Sequence, residues 1–439
     1  MNFYSLDRFY FCTNKKKSMM GEMNFCLKTE VNADILSRAV KKTLALFPSW
    51  QCRPYTNADG RITFGENENP VPVCYDDGTN VNLGSDESNG YLFRVFYKDK
   101  RISLRAFHCL GDGNVMGLFA IHIVYFYLKE LYPDLDGGEF IFSEIPDTAD
   151  DDVVKKAAEY LSGLPECTSE ENEEALPTEE RFIEDFEMEH YFTENARSIH
   201  IICDNKSYFE YCTGHHVSST SFLMDLISRS VYEAYGVTNK RMDACIAVDL
   251  RNQLKSQSYH NFATDITLRY DYEMLEMEDT KRYEILRSRL KKAIDPVKLA
   301  KQTVDYGASC EVLNQYYTLA SHTLLEEKIT EQQKSNLVSF YISNLSKLPI
   351  PDDFSKYIDN IYTAANPVKS ETNYYINRFE DILNITVRQN FDNIKVAELL
   401  VEKLNSLGIT ASIQTNELIT YDYVSIENFE TINREETNE

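Results

Sequence analysis

The sequence predicts an α/β (α+β) fold made of two similar lobes. Segments in which apolar and polar residues alternate, as in half-buried strands, are followed by segments with the apolar spacing of amphipathic helices. The same strand-and-helix texture occurs on both sides of an acidic stretch in the 439-residue chain. A chain of this length can bury at least one large core, and 43% hydrophobic residues suit a folded protein. We therefore expect two lobes with mixed sheets.

Residues 1–150 form the predicted first lobe. Alternation over 22–29 predicts a strand, and Asn32 is the expected N-cap of the next helix, which ends at Pro48. Further strands are predicted at 91–97 and 101–107, and a strongly apolar helix at about 114–131.

Residues 151–192 are interpreted as an acidic crossover that links the two lobes. The surrounding stretch 134–189 holds 20 acidic residues, 3 basic residues and three prolines, and it shows little periodicity. Charge runs of this kind are usually solvated surface. No helix or strand is predicted there.

The predicted second lobe spans residues 193–439. Strands are expected at 198–203, 208–212, 245–250, 265–270, 338–342, 372–375, 383–388 and 409–413. Helices are expected at 219–235, 278–328 and 395–407. Gly236 and Gly408 follow the first and the last of these helices, as helix-terminating glycines do.

Composition and charge exclude several classes of protein. A net charge of −25 argues against a nucleic-acid-binding protein, which needs a basic face. The longest apolar stretch, 115–128, is shorter than the roughly 20 residues of a membrane-spanning helix. Ten cysteines at irregular spacings, without a C-x-x-C pair, predict neither a metal site nor a disulfide framework. No targeting segment is visible, so we expect a cytoplasmic protein with reduced thiols.

One short motif carries candidate chemistry. His108 stands where a predicted strand ends, and Asp112 and Gly113 follow just before the apolar helix. A histidine at such a junction is held by the strand yet accessible to substrate, and its ordinary pKa of about 6.5 suits a general base. Gly113 permits a close backbone approach. The alternative is a core histidine followed by an aspartate that serves only as the helix N-cap.

Residues 107–113, Phe-His-Cys-Leu-Gly-Asp-Gly, resemble the H-x-x-x-D-G signature of the CoA-dependent acyltransferase superfamily. That superfamily includes chloramphenicol acetyltransferase, acyl-CoA:alcohol acyltransferases and the condensation domains of peptide synthetases. Other pieces of the chain fit the family's pattern in order: residues 44–54, 247–252, 261–262 and 343–345. The chain resembles most the bacterial alcohol acetyltransferase group.

The chain departs from the family pattern at three places. Phe107 occupies the place of the first of two adjacent histidines in condensation domains, which lowers the condensation interpretation. The Asp-Phe-Gly-Trp-Gly stretch of the plant branch is absent from the sequence. The last glycine of the late Ser-Asn-x-Gly piece is replaced by Leu345 or Ser346, depending on the alignment.

The resemblance implies two chloramphenicol acetyltransferase-like lobes with an active-site tunnel between them. His108 would act as general base, and Asp112 would pair structurally with Arg251 of the second lobe. Ser343 or Asn344 would donate to the oxyanion, although a simple turn at the strand end explains that pair equally well. The co-substrate would be acyl-CoA, with no tightly bound cofactor and no metal.

Two other functions stay open. A condensation-type enzyme would take its acyl group from a carrier protein instead of free CoA. A non-catalytic interaction protein would keep the fold without the reaction. The leading hypothesis is transfer of an acyl group from CoA to a small alcohol or amine. The sequence does not indicate which acceptor, which acyl length, which CoA-phosphate-binding residues or which oligomeric state.

Overall fold

A computed structural model describes residues 11, 19–135, 152–164, 181–183, 195–316, 318, 321, 337–345, 348 and 350–432. Its helices are α1 (Ala33–Leu44), α2 (Gly113–Leu131), α3 (Val153–Ser162), α4 (Asn205–Gly214), α5 (Ser219–Tyr235), α6 (Arg251–Leu254), α7 (Asp279–Ala293), α8 (Pro296–Tyr316) and α9 (Lys395–Ser406). Its strands are β1 (Met20–Leu27), β2 (Cys52–Asn57), β3 (Ile62–Glu66), β4 (Val73–Tyr75), β5 (Phe93–Lys98), β6 (Arg101–Phe107), β7 (Asn195–Asp204), β8 (Met242–Asp249), β9 (Ala263–Tyr270), β10 (Phe340–Asn344), β11 (Ile358–Ala365), β12 (Thr372–Phe379), β13 (Ile382–Gln389), β14 (Ala411–Thr420) and β15 (Thr431–Ile432).

The first lobe is a five-stranded sheet in the order β11-β1-β6-β5-β4. Its pairs are antiparallel except β4 with β5. Helix α2 is apolar on nearly all sides and is buried between this sheet and α1, which explains why its sequence has no polar face. Asn32 caps α1 by accepting from the backbone N–H of Ile35, as the sequence predicts.

The second lobe is a seven-stranded mixed sheet in the order β14-β7-β13-β12-β10-β8-β9. Strand β10 runs parallel to both β12 and β8, and the other pairs are antiparallel. Helix α5 packs against the sheet; Ser218 is its N-cap, and Gly236 ends it in the left-handed conformation. The mixed sheets and the two-lobed α/β architecture predicted from the sequence are thus present.

Two segments of the predicted second-lobe range lie in the first lobe, which corrects the boundary at residue 193. Strand β11 pairs with β1 at the edge of the first sheet. The C-terminal end returns as well, because β15 pairs with β2. Beside it, the buried carboxylate of Asp422 forms ion pairs of 2.7 Å with Arg94 and 3.3 Å with Arg105. The lobes are therefore interlocked rather than joined only through the predicted crossover.

Two predicted local structures are wrong. Residues 208–212 are helical in α4 instead of forming a strand, because Tyr208 and Cys212 are both buried one helical turn apart and Asp204 caps the helix. The predicted crossover contains helix α3, whose Val153 and Ala157 are buried in the second lobe. The other residues of 151–192, apart from 152–164 and 181–183, lie outside the described part of the chain.

The predicted helix at 278–328 is divided into α7 and α8, and Pro296 is the first residue of the second helix. Beyond Tyr316 this prediction falls largely outside the described residues. Of the predicted second-lobe strands, the other seven overlap β7, β8, β9, β10, β12, β13 and β14.

The two lobes meet through polar side chains. Asn360 of β11 and Asn384 of β13 exchange hydrogen bonds of 2.8 and 2.9 Å. The ring of His200 lies against Tyr362, with centroids 4.1 Å apart. Arg388 is 2% exposed and its guanidinium lies 3.5 Å from Glu22. Apolar and polar residues alternate along the strands of the second sheet, which gives the sheet one polar face. That polar face is buried against the first lobe.

In the part of the chain that is described, no helix is both long enough and apolar enough to cross a membrane.

Candidate active site

His108 begins the turn that joins strand β6 to helix α2. Strand β6 ends at Phe107, and residues 108–110 form a single 3₁₀ turn. Gly111 then adopts a φ of 150°, and a Cβ added to it would lie 2.8 Å from Val115. Only glycine fits this position easily, so the turn explains one glycine of the motif. Asp112 completes the junction as the N-cap of α2.

The carboxylate of Asp112 is buried and has four partners. Its Oδ1 accepts from the backbone N–H groups of Asn114 and Val115, at 3.1 and 3.2 Å. Its Oδ2 accepts from Nη1 of Arg251 at 2.8 Å and from the backbone N–H of Phe262 at 2.9 Å. Burial by itself would raise the pKa of Asp112, but the Arg251 charge and these hydrogen bonds hold it below its usual value. Asp112 is thus ionised and fully engaged.

Arg251 reaches Asp112 from the second lobe and also organises its own chain. Besides Asp112, its guanidinium donates to the carboxylate of Asp249 at 3.0 Å. It donates further to the backbone carbonyls of Ser258 at 2.9 Å and His260 at 2.8 Å. The planar guanidinium carries five donors, so one side chain can hold a carboxylate pair and a loop together. The structure therefore brings together the two charges that the sequence analysis paired.

His108 is held by Asn261, which follows this loop. The ring Nδ1 lies 2.9 Å from the amide Oδ1 of Asn261, and the amide Nδ2 donates to the backbone carbonyl of His108 at 2.8 Å. Burial lowers the pKa of His108, an effect that Asp112, the Asn261 contact and a hydrogen bond of the ring with its own backbone oppose. The imidazole is therefore neutral at neutral pH, and its Nδ1 is hydrogen-bonded to Asn261.

The lobes enclose a cavity of about 320 Å³ beside His108. The first lobe contributes lining residues from β1, β11, the motif and α2, and the second from β8, β9, β10 and β12. The lining includes Met19, Gly21, Met23, His108, Asp112, Gly113, Asn114, Met116, Ala247, Asp249, Asp265, Tyr341, Ser343, Asn344, Leu345, Thr363, Lys369 and Tyr375. This cavity lies where the sequence analysis expects the tunnel.

Gly113 permits the lobes to approach each other at the cavity wall. A Cβ on Gly113 would lie 2.9 Å from Cδ1 of Leu345, a residue of the second lobe. The first turn of α2 and the segment after β10 therefore come together closely. An alanine there would force the Leu345 side chain to move.

Both predicted oxyanion donors line the cavity, but their side chains lie on opposite sides of β10. The side chain of Asn344 is directed to α5, where its amide donates to Thr220 at 3.2 Å. Ile342, on the same side of β10, is buried in the second-lobe core. Since side chains alternate along a strand, Ser343 and Tyr341 project to the opposite side, toward the cavity.

Sequence reasoning missed the part that Asn261 has in the site. The residue was recognised only as a landmark of the family pattern, and its spacing from His108 gives no signal that they touch. Thr363 and Met23, on the neighbouring strands β11 and β1, also line the cavity without any local motif. Among the described residues, no group of three His, Cys, Asp or Glu side chains is arranged to hold a metal ion.

Solved structures with the same two-lobed architecture cover nearly the whole chain. TRI101 of F. sporotrichioides, complexed with coenzyme A and T-2, aligns with a TM-score of 0.57 at 12% identity, over 92% of this chain and 98% of its own. The epimerization domain of the third module of tyrocidine synthetase B gives a TM-score of 0.57 at 12% identity, over 93% and 95%. Polyketide synthase associated protein 5 of Mycobacterium tuberculosis gives 0.54 at 12% identity, over 91% and 96%.

No protein-family model matches the chain, and no curated protein matches it in sequence. The structural likeness defines the class of fold: the chain has the same two-lobed α/β fold as these solved structures. The fold expected from the motif resemblance is thereby confirmed. At this level of identity the likeness concerns the fold alone.

Proposed function

We propose that this protein transfers an acyl group from a CoA thioester to an alcohol or amine, with His108 as the general base. The observation that carries the proposal is the partly buried, neutral His108 on the wall of the inter-lobe cavity, with Nδ1 bound to Asn261. With the proton on Nδ1, the basic nitrogen of the neutral ring is Nε2. A second support is that the TRI101 structure of the same fold was obtained with coenzyme A.

The reaction needs no acyl-enzyme. Nε2 of His108 takes the proton of the acceptor hydroxyl or amine while its oxygen or nitrogen bonds to the thioester carbonyl carbon. The resulting oxyanion collapses, the C–S bond breaks, and the CoA sulfur leaves with the proton that His108 returns. General-base assistance of this kind contributes about 10²–10⁴-fold. Holding both substrates at one point in the cavity supplies much of the remaining acceleration.

Ser343 is the proposed donor to the oxyanion, because its side chain projects to the cavity side of β10. Asn344 is less suitable, since its amide donates to Thr220.

Asp112 and Arg251 have a structural role in this proposal. They hold the motif turn of one lobe against the loop of the other, and all four contacts of the carboxylate are to protein groups. Neither residue exchanges a proton with substrate.

The test is release of thiol from acetyl-CoA and longer acyl-CoAs with a panel of alcohols and amines. We expect acceptor-dependent release by the parent protein and its loss, by about 10²-fold or more, in His108→Ala. The matched control is His215→Ala, because His215 is exposed and does not line the cavity. Equal activity of His108→Ala and the parent would contradict the assignment of the base.

The same assay separates the other functions. Release only from an acyl group on a carrier protein would favour the condensation-type enzyme, a possibility kept open by the similar fold of the tyrocidine synthetase epimerization domain. No release from either donor by a folded protein would favour a non-catalytic interaction protein.

A further inference from the structure

We propose that Asn261 is a positioning residue that sets the tautomer and the orientation of His108, so that the base is assembled only when the two lobes are docked. The contribution to catalysis rests on the proposed function. The tautomer itself can be tested without any reaction.

The identity of the Asn261 atoms follows from their partners. A backbone carbonyl can only accept a hydrogen bond, so the amide atom 2.8 Å from the His108 carbonyl must be the NH₂ group. The other amide atom, 2.9 Å from Nδ1 of His108, is then the oxygen, which can only accept. Nδ1 of His108 therefore carries the proton. In a neutral imidazole this leaves the lone pair on Nε2.

The position of Asn261 depends on the ion pair that joins the lobes. Arg251 binds the carbonyls of Ser258 and His260, which fixes the chain immediately before Asn261. The backbone N–H of Phe262, immediately after it, donates to Asp112. Asn261 is thus held on both sides, and it is 3% exposed. Asp112 and Arg251 therefore do more than neutralise each other. They fix the position of Asn261, which in turn orients His108.

A neutral amide suits this position better than a carboxylate. A carboxylate at the same place would accept from Nδ1 but would also stabilise the imidazolium, raising the pKa of a base that burial keeps neutral. The charges already facing His108 are the carboxylates of Asp112 and Asp265, whose partners are Arg251 and Lys369 respectively. Asp249 also lines the cavity and pairs with Arg251. A carboxylate in place of the Asn261 amide would add a negative charge beside His108 that none of these cations pairs with.

Two variants separate positioning from mere support. Asn261→Leu removes both hydrogen bonds at similar size, and we expect kcat to fall by about 10²-fold or more with little change in KM for acyl-CoA. Asn261→Asp keeps the acceptor toward Nδ1, so we expect it to recover part of kcat. Its acidic limb of kcat/KM should move to higher pH. Equal loss in both variants, with no shift of the pH profile, would overturn the proposal.

The direct measurement is ¹⁵N NMR of the imidazole nitrogens in protein labelled at histidine, with His108 assigned by its loss in His108→Gln. We expect a protonated Nδ1 in the parent and a shift toward the other tautomer in Asn261→Leu. Asn114→Leu is the control. The amide of Asn114 donates to Asp249 across the same lobe boundary, and the hydrogen bonds that the structure shows for Asn114 do not include His108. A protonated Nε2 in the parent would overturn the proposal. A protonated Nδ1 in a protein without acyltransferase activity would keep it while the proposed function fails.

Discussion

At the scale of single residues, the motif combines two roles that the sequence analysis treated as alternatives. Asp112 is the N-cap of α2, and it is also the partner of Arg251. The capping contacts use Oδ1 and the ion pair uses Oδ2, so one carboxylate can serve both. A sequence shows that an aspartate is suited to a cap, but it does not show what faces the other oxygen.

We predict that Asp112→Asn destabilises the protein by about 3–5 kcal/mol, because it leaves the Arg251 charge without its buried partner. Chemical denaturation followed by fluorescence measures the change. Asp249→Asn is the matched control, since Asp249 binds the same guanidinium but its side chain is 37% exposed. That variant should lose no more than about 1 kcal/mol. If Asp112→Asn unfolded at the denaturant concentration of the parent, the structural role of this pair would be wrong.

At the scale of elements, caps and strong periodicity made the most reliable predictions. Helix α2 was expected at about 114–131 and spans Gly113–Leu131. The short segment 208–212 failed because five residues fit both a strand period and one helical turn. Strand β11 was not predicted at all, and its place beside β1 depends on a partner more than 300 residues earlier in the chain.

Strand β11 also contains a buried hydroxyl group, that of Thr363, whose effect on stability can be tested. The side chain of Thr363 is 1% exposed, and its hydroxyl has no hydrogen-bond partner among the described residues. We expect Thr363→Val to stabilise the protein by about 1 kcal/mol, because it removes an unsatisfied buried hydroxyl at nearly constant volume. Thr363→Ser retains the hydroxyl and should not stabilise. A lower midpoint of chemical denaturation for the valine variant than for the parent would show that the hydroxyl is satisfied in solution.

At the scale of the whole molecule, the interface between the lobes is polar and buried. Alternation in β13 predicts one apolar and one polar face, and the apolar face does pack in the second-lobe core. Its polar residues Asn384, Thr386 and Arg388 are each no more than 2% exposed, because the first lobe covers them. Sequence patterning alone assigns such a face to solvent.

His200 in this interface predicts an acid-sensitive stability. Burial and the neighbouring charge of Arg388 lower its pKa to about 3, against an opposing effect of Glu22. In the unfolded chain a histidine has a pKa of about 6.5. Between those values the unfolded state binds a proton that the folded state does not, so stability falls as the pH drops from about 6.5 toward 3. At pH 5 the loss from this one group is about 2 kcal/mol.

The check is chemical denaturation between pH 7.5 and 4.5 of the parent and of His200→Gln. We expect a smaller loss of stability toward acid in the variant, whatever its stability at pH 7.5. His215→Gln is the control for the removal of a histidine from an exposed position. Identical pH slopes for the parent and His200→Gln would contradict the assignment.

The sequence by itself determined the local structure: most strands and helices, the cap at Asn32, and the motif from His108 to Gly113. Tertiary structure alone decided what surrounds that motif. Arg251 is 139 residues from Asp112 and Asn261 is 153 residues from His108, yet their atoms are within 3 Å. Propensity and periodicity act over a few residues, whereas these contacts are set by how two sheets pack, which depends on all their buried side chains at once.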